Sequence, residues 1–209
     1  MAKAITSDKF VLGSSADPIR FSFLEIAEPK SFNNDPKQVK KYQATALLDP
    51  SNKTHASQLQ FLQDQAGKLL KEGGLGREDL KSVCFGRGDT RKKDGVVYEG
   101  YAGMVYVQLA NEIKPIIGDR SGKLVMPNES QFPYAGAYGI IKGTLWLQNN
   151  SWGKRINGNL LTLQFVKPGT AFSANAQLNP DEEFERLPDE PGSSGSGAGA
   201  QTAPSSSWI

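Results

Sequence analysis

Residues 137–148 alternate apolar and polar side chains so regularly that an extended strand with one buried face is the conformation that sorts them. Ile141, Leu145 and Leu147 fall on one side, and Tyr138, Ile140, Lys142, Thr144 and Trp146 on the other. A helix would scatter both sets around its circumference. Gly139 and Gly143 lie within the run and permit a bend.

The same period recurs along the chain. Residues 19–25, Ile-Arg-Phe-Ser-Phe-Leu-Glu, read as a strand, and so do residues 41–48, which are ended by Asp49-Pro50. Between them Pro29, Asn33, Asn34 and Pro36 mark an exposed loop. Residues 98–110 put Tyr101, Gly103, Val105, Val107 and Leu109 on one face and Ala102, Met104, Tyr106 and Gln108 on the other, while residues 159–166 form a last strand. Val83-Cys84-Phe85 reads as a short strand leading into a basic, glycine-containing loop at 86–95, and residues 116–123 as a turn-rich connection. One segment has the other period. Leu59, Leu62, Ala66, Leu69 and Leu70 share one side of a helix over residues 54–72, with Thr54 as its cap and Gly73-Gly74 as its end. Five or six strands with one main helix fit a mainly β fold, the five-stranded Greek-key barrel of OB type, and equally a β-sandwich.

Residues 191–207 contain only Pro, Gly, Ser, Ala, Gln and Thr, too little apolar surface to offset the entropy of ordering them. The expectation is one folded domain over residues 1–177 and a disordered tail over 178–209, ending in a Trp208-Ile209 tip suited to docking. Charge divides the same way. From Ala171 onward Asp181, Glu182, Glu183, Glu185, Asp189 and Glu190 face a single base, Arg186, for a net of −5, whereas residues 1–170 carry 23 bases against 16 acids, a net of +7. A basic body with an acidic end points to a polyanionic ligand and to an internal competitor for it.

Several classes drop out. Cys84 is the only cysteine and His55 the only histidine, so neither an intramolecular disulfide nor a Cys/His zinc site is available. His55 sits in Asn-Lys-Thr-His-Ala, a helix start where it reads as a polar surface residue rather than a catalytic base. Gly86-Arg87-Gly88 lacks the Lys-Ser/Thr ending of a nucleotide loop, and Arg87-Gly88-Asp89 reads as part of a basic loop. The acids of the tail are interrupted by Pro188 and lack an ordered scaffold for metal coordination. No cofactor, no metal and no enzymatic activity are expected. Residues 1–10 lack a signal peptide's apolar core, and no apolar run nears the roughly 20 residues of a membrane span, which predicts a soluble, cytoplasmic protein.

What remains is a surface of rings and cations, the pairing that single-stranded nucleic acid requires. Tyr138, Lys142 and Trp146 share one strand face. Trp152, Lys154 and Arg155 form a loop cluster; Lys37, Lys40, Lys41 and Tyr42 a second; Arg87, Arg91, Lys92, Lys93 and Tyr98 a third. Arg20 and Tyr101 complete the candidate set. Trp146 suits core and groove equally, while Tyr106 and Phe165 lean towards the core. The lysine runs singly read as solvated charge, and gain weight by recurring beside rings.

The segments Arg20-Phe21-Ser22-Phe23-Leu24, Glu28-Pro29-Lys30, Tyr42-Gln43-Ala44-Thr45-Ala46-Leu47-Leu48, Gly100-Tyr101-Ala102-Gly103 and Tyr134-Ala135-Gly136-Ala137-Tyr138, in that order, resemble the phage-encoded OB-fold single-stranded DNA-binding proteins, formerly a domain of unknown function. The resemblance runs from about Phe10 to Phe172. It implies an OB-fold that coats single-stranded DNA in phage replication, recombination or repair, inside the bacterial host, as a monomer or homodimer. It also implies that the acidic segment and apolar tip recruit a DNA polymerase or other replication proteins, although here a long neutral linker separates the two. The alternative is a structural or assembly protein of a phage particle, with basic loops and a docking tail. A nuclease is a third reading.

Overall fold

The computed structural model describes residues 5–31, 35 and 37–172. Both the acidic cluster and the Trp208-Ile209 tip lie outside the described residues. Short N-terminal strands β1 (Ile5–Thr6) and β2 (Phe10–Leu12) precede two long strands, β3 (Ile19–Lys30) and β4 (Lys41–Leu48). Helix α1 (Lys53–Glu72) follows, then four short strands, β5 (Ser82–Val83), β6 (Phe85–Arg87), β7 (Lys92–Lys93) and β8 (Val96–Val97). The rest is β9 (Val105–Asn111), β10 (Ile116–Gly118), β11 (Tyr138–Asn150) and β12 (Gly153–Lys167).

Five of these strands close a ring. β3 pairs with β4, β4 with β9, β9 with β12, β12 with β11, and β11 returns to β3. All the contacts are antiparallel except β9 with β12, which run parallel. This is the OB barrel, and the sandwich reading falls because no strand edge within the ring is left for a second sheet. The alternation read from residues 137–148 holds: Gly139, Ile141, Gly143, Leu145 and Leu147 are buried and the residues between them are not. Both glycines sit at register shifts in the β11–β12 ladder. A Cβ on Gly139 would collide with Phe21, and one on Gly143 with the Phe10 ring, so the glycines let two core rings lie directly on the backbone.

Two strand expectations change. Residues 98–104 are not strand, because Gly100 and Gly103 take φ of 77° and 70° and carry the chain through successive turns, so β9 starts only at Val105. On β3, Phe23 adopts φ 46°, which breaks the alternation: Phe21 is wholly buried whereas Phe23 is 40% exposed. Residues 116–123, read as a connection, contain β10, which pairs in parallel with β12.

Helix α1 is capped by Asn52 rather than Thr54. The Asn52 Oδ1 accepts from the backbone N–H groups of Thr54 and His55 (2.9 and 3.1 Å). Thr54 instead donates its hydroxyl to Asp17 (2.6 Å), and the hydrogen bonds from Thr54 and Asn52 hold the Asp17 carboxyl below its ordinary range. His55 is not a surface residue but is 6% exposed. Its Nδ1 accepts from the Asp49 N–H (3.1 Å), which leaves Nε2 to donate to the Asp17 carbonyl (3.1 Å). It ties the helix start to the β2–β3 loop and has no free nitrogen for catalysis.

Candidate nucleic-acid interface

The outer face of the barrel between β3, β4 and β9 carries a second apolar layer. Tyr101, Leu47, Ala135 and Phe172 are buried there, and the Tyr101 hydroxyl donates to the buried Ser22 Oγ (3.2 Å). Burial pushes the Tyr101 hydroxyl's pKa up. Around it Phe23, Tyr98 and Tyr106 form an aromatic wall: Phe23 and Tyr98 meet edge to face at 5.3 Å, as do Tyr98 and Tyr101 at 5.8 Å, while Tyr101 and Tyr106 are tilted at 39° with centroids 6.5 Å apart. Tyr101 is therefore the support of this wall rather than a surface ring, at 1% exposure. Phe23 supplies the accessible edge that Tyr101 was expected to provide.

Beside the wall, β9 and β12 diverge. They pair directly only at Ala110 and Asn159. The gap is bridged by β5 and β6: β5 pairs with β12, β6 with β9, and between them the Cys84 N–H donates to the Ile156 carbonyl (2.9 Å) while its own carbonyl accepts from Gln108 (2.7 Å). Over this gap lies an open groove of about 710 Å³. Tyr106, Gln108 and Arg91 form one lip, and Asn157, Asn159 and Trp146 the other. Burial raises the Cys84 thiol to about 12, so Cys84 adds no charge to the groove that it lines.

Arg91 is the most constrained cation of the site. Its guanidinium lies over the Tyr106 ring, 4.9 Å from the centroid, and its Nε is buried without a hydrogen-bond partner. The carbonyl of Arg91 accepts from the Tyr98 N–H (3.0 Å), which anchors the base of the small β7–β8 hairpin to the aromatic wall. Lys92 and Lys93 are exposed on that hairpin. The Arg155 Nε is likewise buried and unpartnered.

The structure brings Lys41, Arg91 and Trp146 to the groove itself, with Tyr98 in the adjoining wall. Lys41 also lies 3.7 Å from Glu112. Lys37 and Lys40 are exposed in the loop between β3 and β4, and Trp152, 79% exposed, tips the β11–β12 turn; OB-folds engage oligonucleotides through these two loops and the face of their second and third strands, here β4 and β9. Tyr42 is half-buried opposite Asn111 at the groove's end, and Lys142 is exposed on β11.

Other candidates are committed elsewhere. Arg20 packs over Phe172 (4.1 Å) and donates to the Gly136 and Thr170 carbonyls (3.2 and 2.7 Å), pinning the chain beyond β12 to the barrel. Tyr138 lies between Arg20 and Lys167, 5.9 and 5.0 Å from its ring, and is not at the groove. Lys154 pairs with Asp79 (3.0 Å), and Arg87 lies 3.8 Å from Asp89 while remaining largely exposed. Tyr106, Gln108, Asn157 and Asn159 were missed as site residues. The period-two split of residues 98–110 did put Tyr106 and Gln108 on one face together, but nothing local says that this face borders a groove.

The family model described as Enterobacter phage Enc34, ssDNA-binding protein, matches residues 9–193. The chain belongs to this family. Among curated proteins it is 27% identical over 176 residues to putative protein p50 of Acyrthosiphon pisum secondary endosymbiont phage 1, covering 81% of this chain and 90% of that one. The Enc34-type barrel is also found in solved structures. The single-stranded DNA-binding protein of bacteriophage Enc34, as a C-terminal truncation, superposes with a TM-score of 0.65 at 20% identity, over 82% of this chain and 99% of that one. The same phage protein in complex with ssDNA gives a TM-score of 0.61 at 21% identity, over 75% and 86% of the respective chains. At these identities the superpositions establish a shared fold.

Proposed function

We propose that this Enc34-family chain binds and protects single-stranded DNA, without strong sequence preference and without catalysing a reaction, in phage replication, recombination or repair. The observation that carries the reading is the groove between β9 and β12, which Arg91 stacked on Tyr106 lines together with Trp146 and Lys41. Rings offer a stacking surface to any base, worth about 1–3 kcal/mol each, and the cations around them neutralise phosphates. The amide side chains of Gln108, Asn157 and Asn159 both donate and accept, so they accommodate different base edges. Family membership and the related phage protein's complex with ssDNA support the same reading.

The acidic cluster from Asp181 to Glu190 serves on this reading as a competitor for the basic groove, or together with the Trp208-Ile209 tip as a recruiter of a DNA polymerase or other replication proteins. Among the described residues no helix is long and apolar enough to cross a membrane. The test is a tryptophan fluorescence titration with oligo-dT across a range of salt. Quenching with an affinity that falls linearly in log-log form against salt is expected, with blunt duplex much weaker. Absence of any signal at low salt would falsify the proposal.

A further inference from the structure

The two lips of the groove keep step with each other. β9 and β12 run parallel and pair directly at Ala110 and Asn159, so equal counts back from that pair face each other across the seam: Gln108 and Asn157 first, then Tyr106 and Arg155. Arg155 shares the outward face with Asn157, because Ile156 between them is buried at 1% exposure. Its strand neighbours are Ser82 on β5, which lines the groove, and Gln148 on β11, whose Oε1 accepts from the Asn157 Nδ2 (3.1 Å). Arg155 therefore stands across the groove from Tyr106 and from the Arg91 guanidinium that lies over that ring.

These two arginines share a state. Among the described residues, the Nε atoms of Arg91 and Arg155 are the buried side-chain polar atoms without a hydrogen-bond partner, and the ion pairs involve neither guanidinium. Arg20 shows the contrast, since it donates to the Gly136 and Thr170 carbonyls. A buried donor is costly to leave unpaired, and two cations placed across one gap repel each other. An anion lying between the lips relieves both.

We infer that Arg91 and Arg155 clamp the phosphate backbone of a single strand from the two lips of the groove, with Arg155 the anchor on the β12 side. The clamp rests on the DNA reading of this groove and deepens it by fixing where the backbone crosses. β5 pairs with β12 and β6 with β9, so at this level the lips stand at least two strand spacings, roughly 10 Å, apart, and a backbone can pass between their side chains. A guanidinium fork meets phosphate oxygens through two parallel hydrogen bonds and keeps its charge at any physiological pH, so the grip is the same for every base sequence. Trp146 and the groove's amides are left free for the bases.

Two substitutions in the full-length chain test it. Arg155→Gln removes the charge and keeps a polar stem, whereas Arg155→Lys keeps the charge without the fork. Fluorescence anisotropy of labelled oligo-dT, titrated at several salt concentrations, reads affinity and salt slope together. Arg155→Gln is expected to bind about ten-fold more weakly at low salt, with the slope of log K against log salt flatter by about 0.7, while Arg155→Lys keeps the slope of the unmodified protein. Arg155→Gln with unaltered affinity and slope overturns the clamp and leaves the groove reading in place. Weaker binding on the original slope makes Arg155 a packing or base contact and overturns it too. If the unmodified protein does not bind oligo-dT at all, the groove reading falls and the clamp with it. A second measurement needs no variant to fold: in proton–nitrogen NMR of the unmodified protein, saturation with oligo-dT shifts the Nε–H resonances of both Arg91 and Arg155 and slows their exchange with water. An Arg155 resonance that stays in place overturns the clamp.

Discussion

Replacing Arg91 by lysine separates charge from shape at the centre of the proposed groove. The substitution keeps one positive charge but removes the planar group that lies 4.9 Å from the Tyr106 centroid, along with the buried Nε–H that lacks a protein partner. The lost guanidinium–ring stack and the lost directed donor together weaken oligo-dT binding by about 1–2 kcal/mol, or about 5- to 30-fold in Kd. Because the charge is retained, the slope of log K against log salt stays as in the unmodified protein. Arg91→Ala gives a similar or larger loss and also flattens the slope by about 0.7, the single-strand value for one released counterion. Fluorescence titrations of the three proteins at four or five salt concentrations provide both numbers, and thermal melts check that the β7–β8 hairpin stays anchored. If Arg91→Lys binds as tightly as the unmodified protein, the residue acts as a point charge and the stacked-plate argument is refuted. If both variants flatten the slope equally, the lysine does not reach the phosphate and the separation of charge from shape fails.

The remaining expectations are simpler. Trp152→Ala, at the exposed β11–β12 turn, weakens oligo-dT binding by about 1–3 kcal/mol and leaves the melting temperature unchanged; unaltered affinity would remove this loop from the interface. Tyr101→Phe costs about 0.5–1.5 kcal/mol of stability through the lost bond to Ser22 and leaves binding intact, as denaturant unfolding and titration can check. Because burial raises the Tyr101 pKa in the folded chain, the stability linked to its neutral form is complete below the unfolded value of about 10 and is lost as pH rises above it; the Phe variant should lose less stability between pH 9 and 11 on this account. Ending the chain at Gln177 removes a net charge of −5 and is expected to raise oligo-dT affinity at low salt; identical affinity and salt slope would dismiss the tail as a competitor.

Much of the barrel could be read from alternation. The outward set on β11, the core positions Ile141, Leu145 and Leu147, and the bends at Gly139 and Gly143 followed from the two-residue period and the glycines alone. The site was harder for two physical reasons. Period two sorts residues onto two faces but does not say which face a second layer will cover, so Tyr101 was counted as a surface ring although it lies beneath Phe23 and Tyr98. A single left-handed residue reverses the assignment downstream of it, so Phe23 is exposed although it follows Phe21 by two. The two-residue strands β5, β7 and β8 are too short to show any period, yet β5 and the adjoining Cys84 line the groove. Arg20 was chosen for its charge, whereas what decides its role is the pair of carbonyls it meets more than a hundred positions later.

The single direct pairing between β9 and β12 also has a mechanical meaning. A full ladder between them would make a tighter cylinder, but it would zip the groove shut. Instead the backbone of Cys84 acts as a keystone, one arm on each side of the seam. Any strand lying in the groove touches both lips and adds its own span to that keystone. Binding there would then close the same joint as the fold and stabilise the folded chain.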